Sequence, residues 1–366
     1  MSIRVLVVDD SLVIRKVLCD ELGREPNITT ASAQDGIAAL EKVTTFNPHV
    51  MVLDLEMPNL DGFGVLRELR KRNSRLPVVV FSTLSDRGAR ATLDALALGA
   101  SDYLSKPTGG GIDKSRELLR DLLVPKVVAL ATRRSSDSAT ESGRKAIAGP
   151  TAQPMLAAPS QAPVGLIVIG ISTGGPVALA QVIPFLPANF SVPLLIVQHM
   201  PATFTKMMAE RLSSTGKLKV QEATGGEVIK PGVVLLAPGD QHMTLAADAH
   251  GQLRTVLDKN APENGCRPSV DVLLRSAARH YGSHLLTIIM TGLGADGTKG
   301  CGAAVAGGGS VWVQDEASSV VWGMPSAVLR AGHACRVLPL DAIAAELTKV
   351  HESTLRGGLP THRRTP

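Results

Sequence analysis

Short, β-branched apolar runs that each stop at reactive side chains constrain this chain more than any other feature. Ile3–Val8 runs into Asp9-Asp10, Val50–Leu53 into Asp54, and Val78–Phe81 into Ser82-Thr83. A shorter run at Tyr103-Leu104 ends at Lys106-Pro107. In the second half Leu166–Ile169 leads into Gly170-Ile171-Ser172, Pro193–Val197 into Gln198-His199, and Val233–Ala237 into Pro238-Gly239-Asp240. Leu285–Met290 ends in Thr291–Gly297, and Ser310–Val313 in Gln314-Asp315. Unbroken apolar runs mark strands buried on both faces. Helical spacing lies between them, as in Leu12, Val13, Val17, Leu18 and Leu22, in Thr203–Leu212 and in Val270–Ala278. The alternation predicts an α/β protein with parallel, doubly wound sheets, whose active groups gather at the carboxyl ends of the strands.

A chain of 366 residues has room for two such domains. The composition shifts after Val124: Ala129–Pro163 is rich in Ala, Ser, Thr, Pro and Gly and carries Arg133-Arg134 and Arg144-Lys145. The expected organisation is a first domain over 1–124, a flexible linker over 125–163, a second domain over 164–350 and a polar tail over 351–366. A net charge of +5 is mild and does not point to nucleic acid. Cys19, Cys266, Cys301 and Cys335 form no C-x-x-C pair, so reduced packing thiols are expected rather than a zinc site or disulfides. No apolar run approaches a membrane span, and the start MSIRVLVVDD carries acids where a secretion signal needs small residues. A cytoplasmic protein without an integral membrane segment is expected.

The first domain's strand ends deliver three carboxylates, a hydroxyl and a lysine. Asp9, Asp10 and Asp54 crowded together repel one another unless a hard cation neutralises them, and Mg2+ suits oxygen ligands. A carboxylate at Asp54 can attack a phosphoryl group, with Mg2+ and Lys106 balancing the charge. Over Ser2 to about Val124 the chain resembles the response-regulator receiver family, which implies a flavodoxin-like fold. The resemblance implies Asp54 as phospho-acceptor, Asp9 and Asp10 with it as Mg2+ ligands, and Thr83 and Lys106 as phosphoryl contacts. It also implies Tyr103 as an aromatic switch, a cis peptide at Lys106-Pro107 and a histidine kinase as phosphodonor.

In the second domain Ser172 sits on a strand-to-helix turn, in the G-x-S-x-G pattern of a nucleophile elbow. A hydroxyl held there lies beside backbone N–H groups that no helical carbonyl satisfies. Serine needs a base, and a histidine base needs an acid to orient it. His199 is well placed after a strand and before Pro201, but His242 rivals it. For the acid, Asp240 and Asp315 compete with Asp296, whose flanking glycines favour it. The order Ser…His…Asp differs from that of α/β-hydrolases, which excludes that fold.

The segments GISTGGP (170–176), QHMP (198–201), RPSVD (267–271), TGLGADG (291–297) and QDEASSVVWGMP (314–325) together resemble the chemotaxis protein-glutamate methylesterase family. That resemblance implies a Rossmann-like α/β catalytic domain with Ser172 as nucleophile, His199 as base and Asp296 as orienting acid. It implies an oxyanion site from the backbone N–H groups of Thr173 and Leu293. Leu293 stands where many relatives carry methionine, a swap that a backbone donor survives. The implied activity is hydrolysis of glutamate γ-methyl esters on the cytoplasmic helices of methylated chemoreceptors, together with deamidation of receptor glutamines. Ester hydrolysis then needs no cofactor, whereas receiver phosphorylation needs Mg2+. Two other readings are a DNA-binding response regulator, which calls for a compact basic output domain, and a catalytically silent regulator.

Overall fold

The structure, a computed structural model, describes residues 2–107, 111–141 and 156–357. The chain divides into two compact units, Met1–Pro150 and Thr151–Pro366.

The first unit alternates β1 (Ile3–Val8), α1 (Leu12–Leu22), β2 (Ile28–Ala33), α2 (Gly36–Phe46), β3 (Val50–Leu53), α3 (Gly62–Lys71), β4 (Val78–Ser82), α4 (Asp86–Ala97) and β5 (Asp102–Ser105). Its five strands pair in parallel in the order β2-β1-β3-β4-β5. Ser11, Asp35, Asp61 and Ser85 cap the four helices, each accepting a hydrogen bond from a backbone N–H of the first turn. Such caps contribute about 0.5–2 kcal/mol each and set where each helix begins after its strand. The strand order reverses at β1, so the crevice above the carboxyl ends of β1 and β3 is where functional groups belong.

α5 (Gly111–Leu118) continues through a π-helical turn at Leu119–Leu123 into α6 (Val124–Glu141). The helix carries the first unit past Val124, where composition placed the start of a flexible linker. Val124, Val127 and Ala131 recur at helical spacing and are buried, with Leu130 beside them, and α6 packs against β1 and β3. Residues 142–155 lie outside the described segments. The last part of the expected linker also belongs to a domain: Ala157 N donates to Ala334 O at 2.8 Å and Ser160 Oγ to Ser283 O at 2.8 Å.

The second unit opens with β6 (Leu166–Ile171), α7 (Gly175–Val182), β7 (Leu194–Gln198), α8 (Ala202–Thr215), β8 (Lys219–Glu222) and β9 (Val233–Leu236). There follow a hairpin, β10 (His242–Ala247) and β11 (Leu253–Asp258), then α9 (Val270–Tyr281), β12 (Leu285–Ile289), α10 (Thr298–Ala306) and β13 (Ser310–Gln314). α11 (Met324–Arg330), β14 (Arg336–Leu338) and α12 (Leu340–Gly357) complete it. Seven strands form one parallel sheet in the order β14-β13-β12-β6-β7-β9-β8. β6 is the point of reversal, flanked by β12 and β7. The antiparallel hairpin, the short β8 and β14, and β2 of the first unit have too few consecutive apolar residues to be visible as buried runs.

The expected polar tail begins inside α12, which runs on to Gly357. His351 is buried there, stacked on Phe190 with ring centroids 5.5 Å apart, and its Nδ1 accepts from Ser191 N at 3.0 Å. His351 and Thr354 continue the buried face of Ile343 and Leu347 at helical spacing, so the helix runs on into sequence that composition reads as tail. Among the described residues no helix is long and apolar enough to cross a membrane.

Candidate active site

Ser172 follows β6 directly. Its N–H donates to Thr291 O of the neighbouring strand end at 3.0 Å, and its carbonyl accepts from Gly175 N at 2.7 Å and Gln198 Nε2 at 3.0 Å. The turn is therefore held by both strands that flank β6. Gly174 makes it possible: its φ is +77°, and a Cβ there would meet the Val320 side chain at 2.5 Å. Gly292, at the end of β12, allows the other close approach, since a Cβ would lie 2.9 Å from Ser172 Cβ. The sheet thus reverses where Ser172 and the 291–297 loop face each other.

His199 follows β7, its N–H bonded to Ile171 O at 3.2 Å. Its Nε2 lies 2.8 Å from Asp296 Oδ2, with the imidazole largely and the carboxylate almost wholly buried. Asp296 is held from several sides. Asn264 Nδ2 and Ser269 Oγ donate to Oδ1, each at 2.8 Å, and Val270 N donates to Oδ2 at 2.7 Å. Asp271 N adds a fourth donor at 3.2 Å, so the carboxylate sits on the N-terminus of α9, where unpaired amides and the helix dipole favour negative charge. Burial alone would raise the Asp296 carboxyl, but the His199 ring, Val270 N–H and Ser269 hydroxyl together hold it well below the usual carboxylate range. Burial alone would lower the His199 imidazole, but the bond to Asp296 and the contact with Cys266 raise it to about 9.

Because Nε2 faces the carboxylate, Nδ1 is the ring nitrogen left to accept a proton. It faces Cys266 Sγ at 3.5 Å, and among the described residues no hydrogen bond joins Ser172 Oγ to His199. Catalytic hydrogen bonds commonly tighten only in the substrate complex. The Leu293 N–H makes no hydrogen bond within the described residues, leaving a donor in the loop that faces Ser172. Thr173 is buried, its carbonyl accepting from Thr291 Oγ1 at 2.9 Å.

The rivals separate cleanly. His242 is a buried structural residue, its Nδ1 accepting from Ser269 N at 3.2 Å and its Nε2 meeting Ala261 O at 3.1 Å. Asp240 is half exposed and paired with Arg267, and Asp315 caps a turn by accepting from Ser318 N at 3.0 Å. Sequence reasoning did not single out Asn264, Ser269 and Cys266 for the site. Ser269 lies inside the RPSVD segment, a usable signal, while nothing in the local pattern marks Asn264 or Cys266.

In the first unit the strand ends bring Asp9, Asp10 and Asp54 together, with ligand oxygens within 4.8 Å of one another. Lys106 Nζ lies 2.9 Å from Asp9 Oδ2 and 2.8 Å from Asp54 Oδ2. Asp9 and Asp54 are buried and Asp10 is exposed; burial pushes the Asp54 carboxyl up despite Lys106. This all-oxygen donor set, with more negative charge than one lysine neutralises, fits Mg2+. Thr83 is exposed just past β4, its Oγ1 3.2 Å from Ser85 Oγ, and Tyr103 is buried in β5. Lys106–Pro107 is not cis; the cis peptide among the described residues is Arg267–Pro268. The trans form is the lower one for most X–Pro bonds, and Lys106 reaches both carboxylates from it.

The family model described as Response regulator receiver domain matches residues 5–139, and that described as CheB methylesterase matches residues 167–347. With the two α/β units, they define a response regulator whose output half is a hydrolase. A protein from a Nocardioides species named protein-glutamate methylesterase/protein-glutamine glutaminase is 47% identical over 353 residues, 95% of each chain. One of the same name from Trichodesmium erythraeum is 42% identical, covering 94% of this chain and 98% of its own. The crystal structure of the Thermotoga maritima CheB methylesterase catalytic domain matches at 46% identity with a TM-score of 0.50, covering 52% of this chain and 100% of that one. The chain belongs to the protein-glutamate methylesterase/protein-glutamine glutaminase family.

Proposed function

We propose that Ser172, His199 and Asp296 form a catalytic triad that hydrolyses glutamate γ-methyl esters on chemoreceptors, under the control of phosphorylation at Asp54. The observation that carries this reading is the buried His199–Asp296 pair at 2.8 Å, beside a serine at the sheet's point of reversal. Ser172 Oγ attacks the ester carbonyl carbon while His199 Nδ1 takes its proton. The backbone N–H groups of Thr173 and Leu293 receive the oxyanion. Collapse breaks the bond to methoxide, which leaves as methanol with the proton from His199. Water, deprotonated by the same nitrogen, then clears the acyl-Ser172. A glutamine side chain would follow the same course with ammonia as leaving group. Methanol release from methylated receptor membranes tests the reading; its absence with well-folded protein would leave the silent-regulator alternative.

The charge state of His199 sets a pH dependence. The base must be neutral, and Asp296 and Cys266 stabilise its charged form, so activity is lost as pH falls through a raised value. The acid limb of kcat/KM is expected above the ordinary histidine value of about 6.5. A limb at or below that value would count against His199 as the base.

In the receiver unit, Asp9, Asp10 and Asp54 would hold Mg2+, which when bound neutralises the charge of an incoming phosphoryl group. Lys106, already between two of these carboxylates, would contact the phosphoryl oxygens. Thr83 would turn inward to the phosphorylated Asp54 and Tyr103 repack, changing the surface of the receiver unit. Such a switch acts through its differential affinity for two arrangements, and a tenfold activation needs only ~1.4 kcal/mol. A small phosphodonor with Mg2+ is expected to activate the full-length protein, and Asp54→Ala to abolish that response. A fragment beginning at Leu156, which keeps the Ala157 and Ser160 contacts, should outpace resting full-length enzyme and ignore the phosphodonor. A fragment no faster than the resting chain would overturn restraint of the esterase by the receiver unit.

A further inference from the structure

The surroundings of His199 hold one group that ester hydrolysis does not use. Cys266 Sγ stands 3.5 Å from His199 Nδ1, and one ligand atom each from His199, Cys266 and Asp296 fall within 4.8 Å of one another. We propose that Cys266 and His199 form a binding site for a zinc-class divalent cation, which shuts off the esterase by occupying the base.

Three observations carry this. A tetrahedral zinc ion bound to sulfur at ~2.3 Å and to imidazole nitrogen at ~2.0–2.1 Å holds those two atoms roughly 3.5 Å apart. That is the separation already present, so a small turn of the ring or the thiol suffices to seat an ion between them. Second, His199 Nε2 is held by the Asp296 carboxylate, leaving Nδ1 directed at the thiol. A carboxylate behind a ligating histidine fixes the ring's tautomer and raises its basicity, the usual second partner of a metal-bound imidazole. Third, Cys266 is only partly buried and His199 keeps a small exposed edge, which gives an ion a route in. A thiolate with an imidazole selects zinc and cadmium over the Mg2+ that the all-oxygen receiver cluster suits.

Binding displaces the Cys266 thiol proton, and the Nδ1 proton of a charged imidazole, to solvent as the metal–sulfur and metal–nitrogen bonds form and bound waters leave. The lone pair on Nδ1 is then committed to the metal and cannot take the Ser172 proton. The other thiols offer no equivalent. Cys301 and Cys335 are buried, and burial pushes both up, as it does the half-buried Cys19. Sequence spacing hid the site because its two ligands come from segments 67 positions apart.

The loss of activity rests on His199 being the base, whereas the binding does not. The test therefore reads both. Cd2+ added to the reduced full-length protein should give the ultraviolet band of a cadmium–thiolate bond and should protect Cys266 from iodoacetamide, read by mass spectrometry of its peptide. Cys266→Ser should lose the band and weaken binding by at least ~100-fold, the upper end of what even an outer partner costs; Cys19→Ser should keep both. Zn2+ should inhibit methanol release by the wild type, and Cys266→Ser should resist it. A band that survives Cys266→Ser, or a Cys266 alkylated equally fast with and without Cd2+, would overturn the proposal. Binding through Cys266 with undiminished hydrolysis would uphold the site and overturn His199 as the base.

Discussion

Replacing Ser172 with alanine is expected to lower methyl-ester hydrolysis by several orders of magnitude, approaching the ~10⁶ that removal of a triad serine can cost. The expectation follows from the position of the hydroxyl. Its backbone is pinned to the ends of β7 and β12 through Gln198 Nε2 and Thr291 O, so no neighbouring hydroxyl can take its place without rebuilding the turn. Thr173 and Thr291 are buried and already bonded to each other through Thr291 Oγ1 and Thr173 O. Receptor binding should change little, because the substitution removes a single small, partly exposed atom group. His199→Ala should be about as damaging, since the two act as a unit. The measurement is methanol release from methylated receptor membranes at matched receptor occupancy. A Ser172→Ala protein with half the wild-type rate would sink the acyl-serine mechanism.

The second large effect concerns Asp296. Asp296→Asn should cost up to about 10⁴ in rate, the loss seen where an amide replaces the acid behind a catalytic histidine. An amide leaves the heavy-atom shape in place but no longer stabilises the imidazolium. It also puts an NH2 among the donors from Asn264, Ser269 and Val270, each of which now faces an acceptor. Asp240→Asn and Asp315→Asn should leave the rate near wild type, because one carboxylate sits at the surface against Arg267 and the other closes a turn. Circular dichroism on all three separates a rate effect from a folding effect. If Asp315→Asn were the more damaging change in well-folded protein, the assignment of the acid would be overturned.

Much of the fold was legible because parallel sheets bury both faces of their central strands. β1, β3, β4, β6, β7, β9, β12 and β13 are all apolar runs that need no tertiary knowledge to find. The elements that escaped are those whose burial is partial or shared. β2 and the hairpin β10–β11 carry Thr, Ala and charged residues, and β8 and β14 lie at the edges of their sheet. α6 and the end of α12 were hidden for a related reason. Their helical faces are made of a few Val, Leu, Ala and His residues set in polar sequence, and only packing against a specific neighbour makes them structure.

The sequence by itself determined two α/β units, the reactive residue at each strand end and the family, because strand ends and their glycine-rich turns are local features. Tertiary structure gives the rivals different neighbours. Asp240 and Asp315 compete with Asp296 as strand-end acids, though glycines favour the last, and strand order puts β12 beside β6 and brings Asp296 to the imidazole while Asp240 turns to Arg267. Tertiary structure alone also brought Cys266 and Asn264 to that site, from a loop whose sequence carries no sign of it. Which nitrogen of His199 faces Asp296 and which faces Cys266 follows from packing across the sheet's point of reversal. Residue spacing holds no record of contacts between segments this far apart.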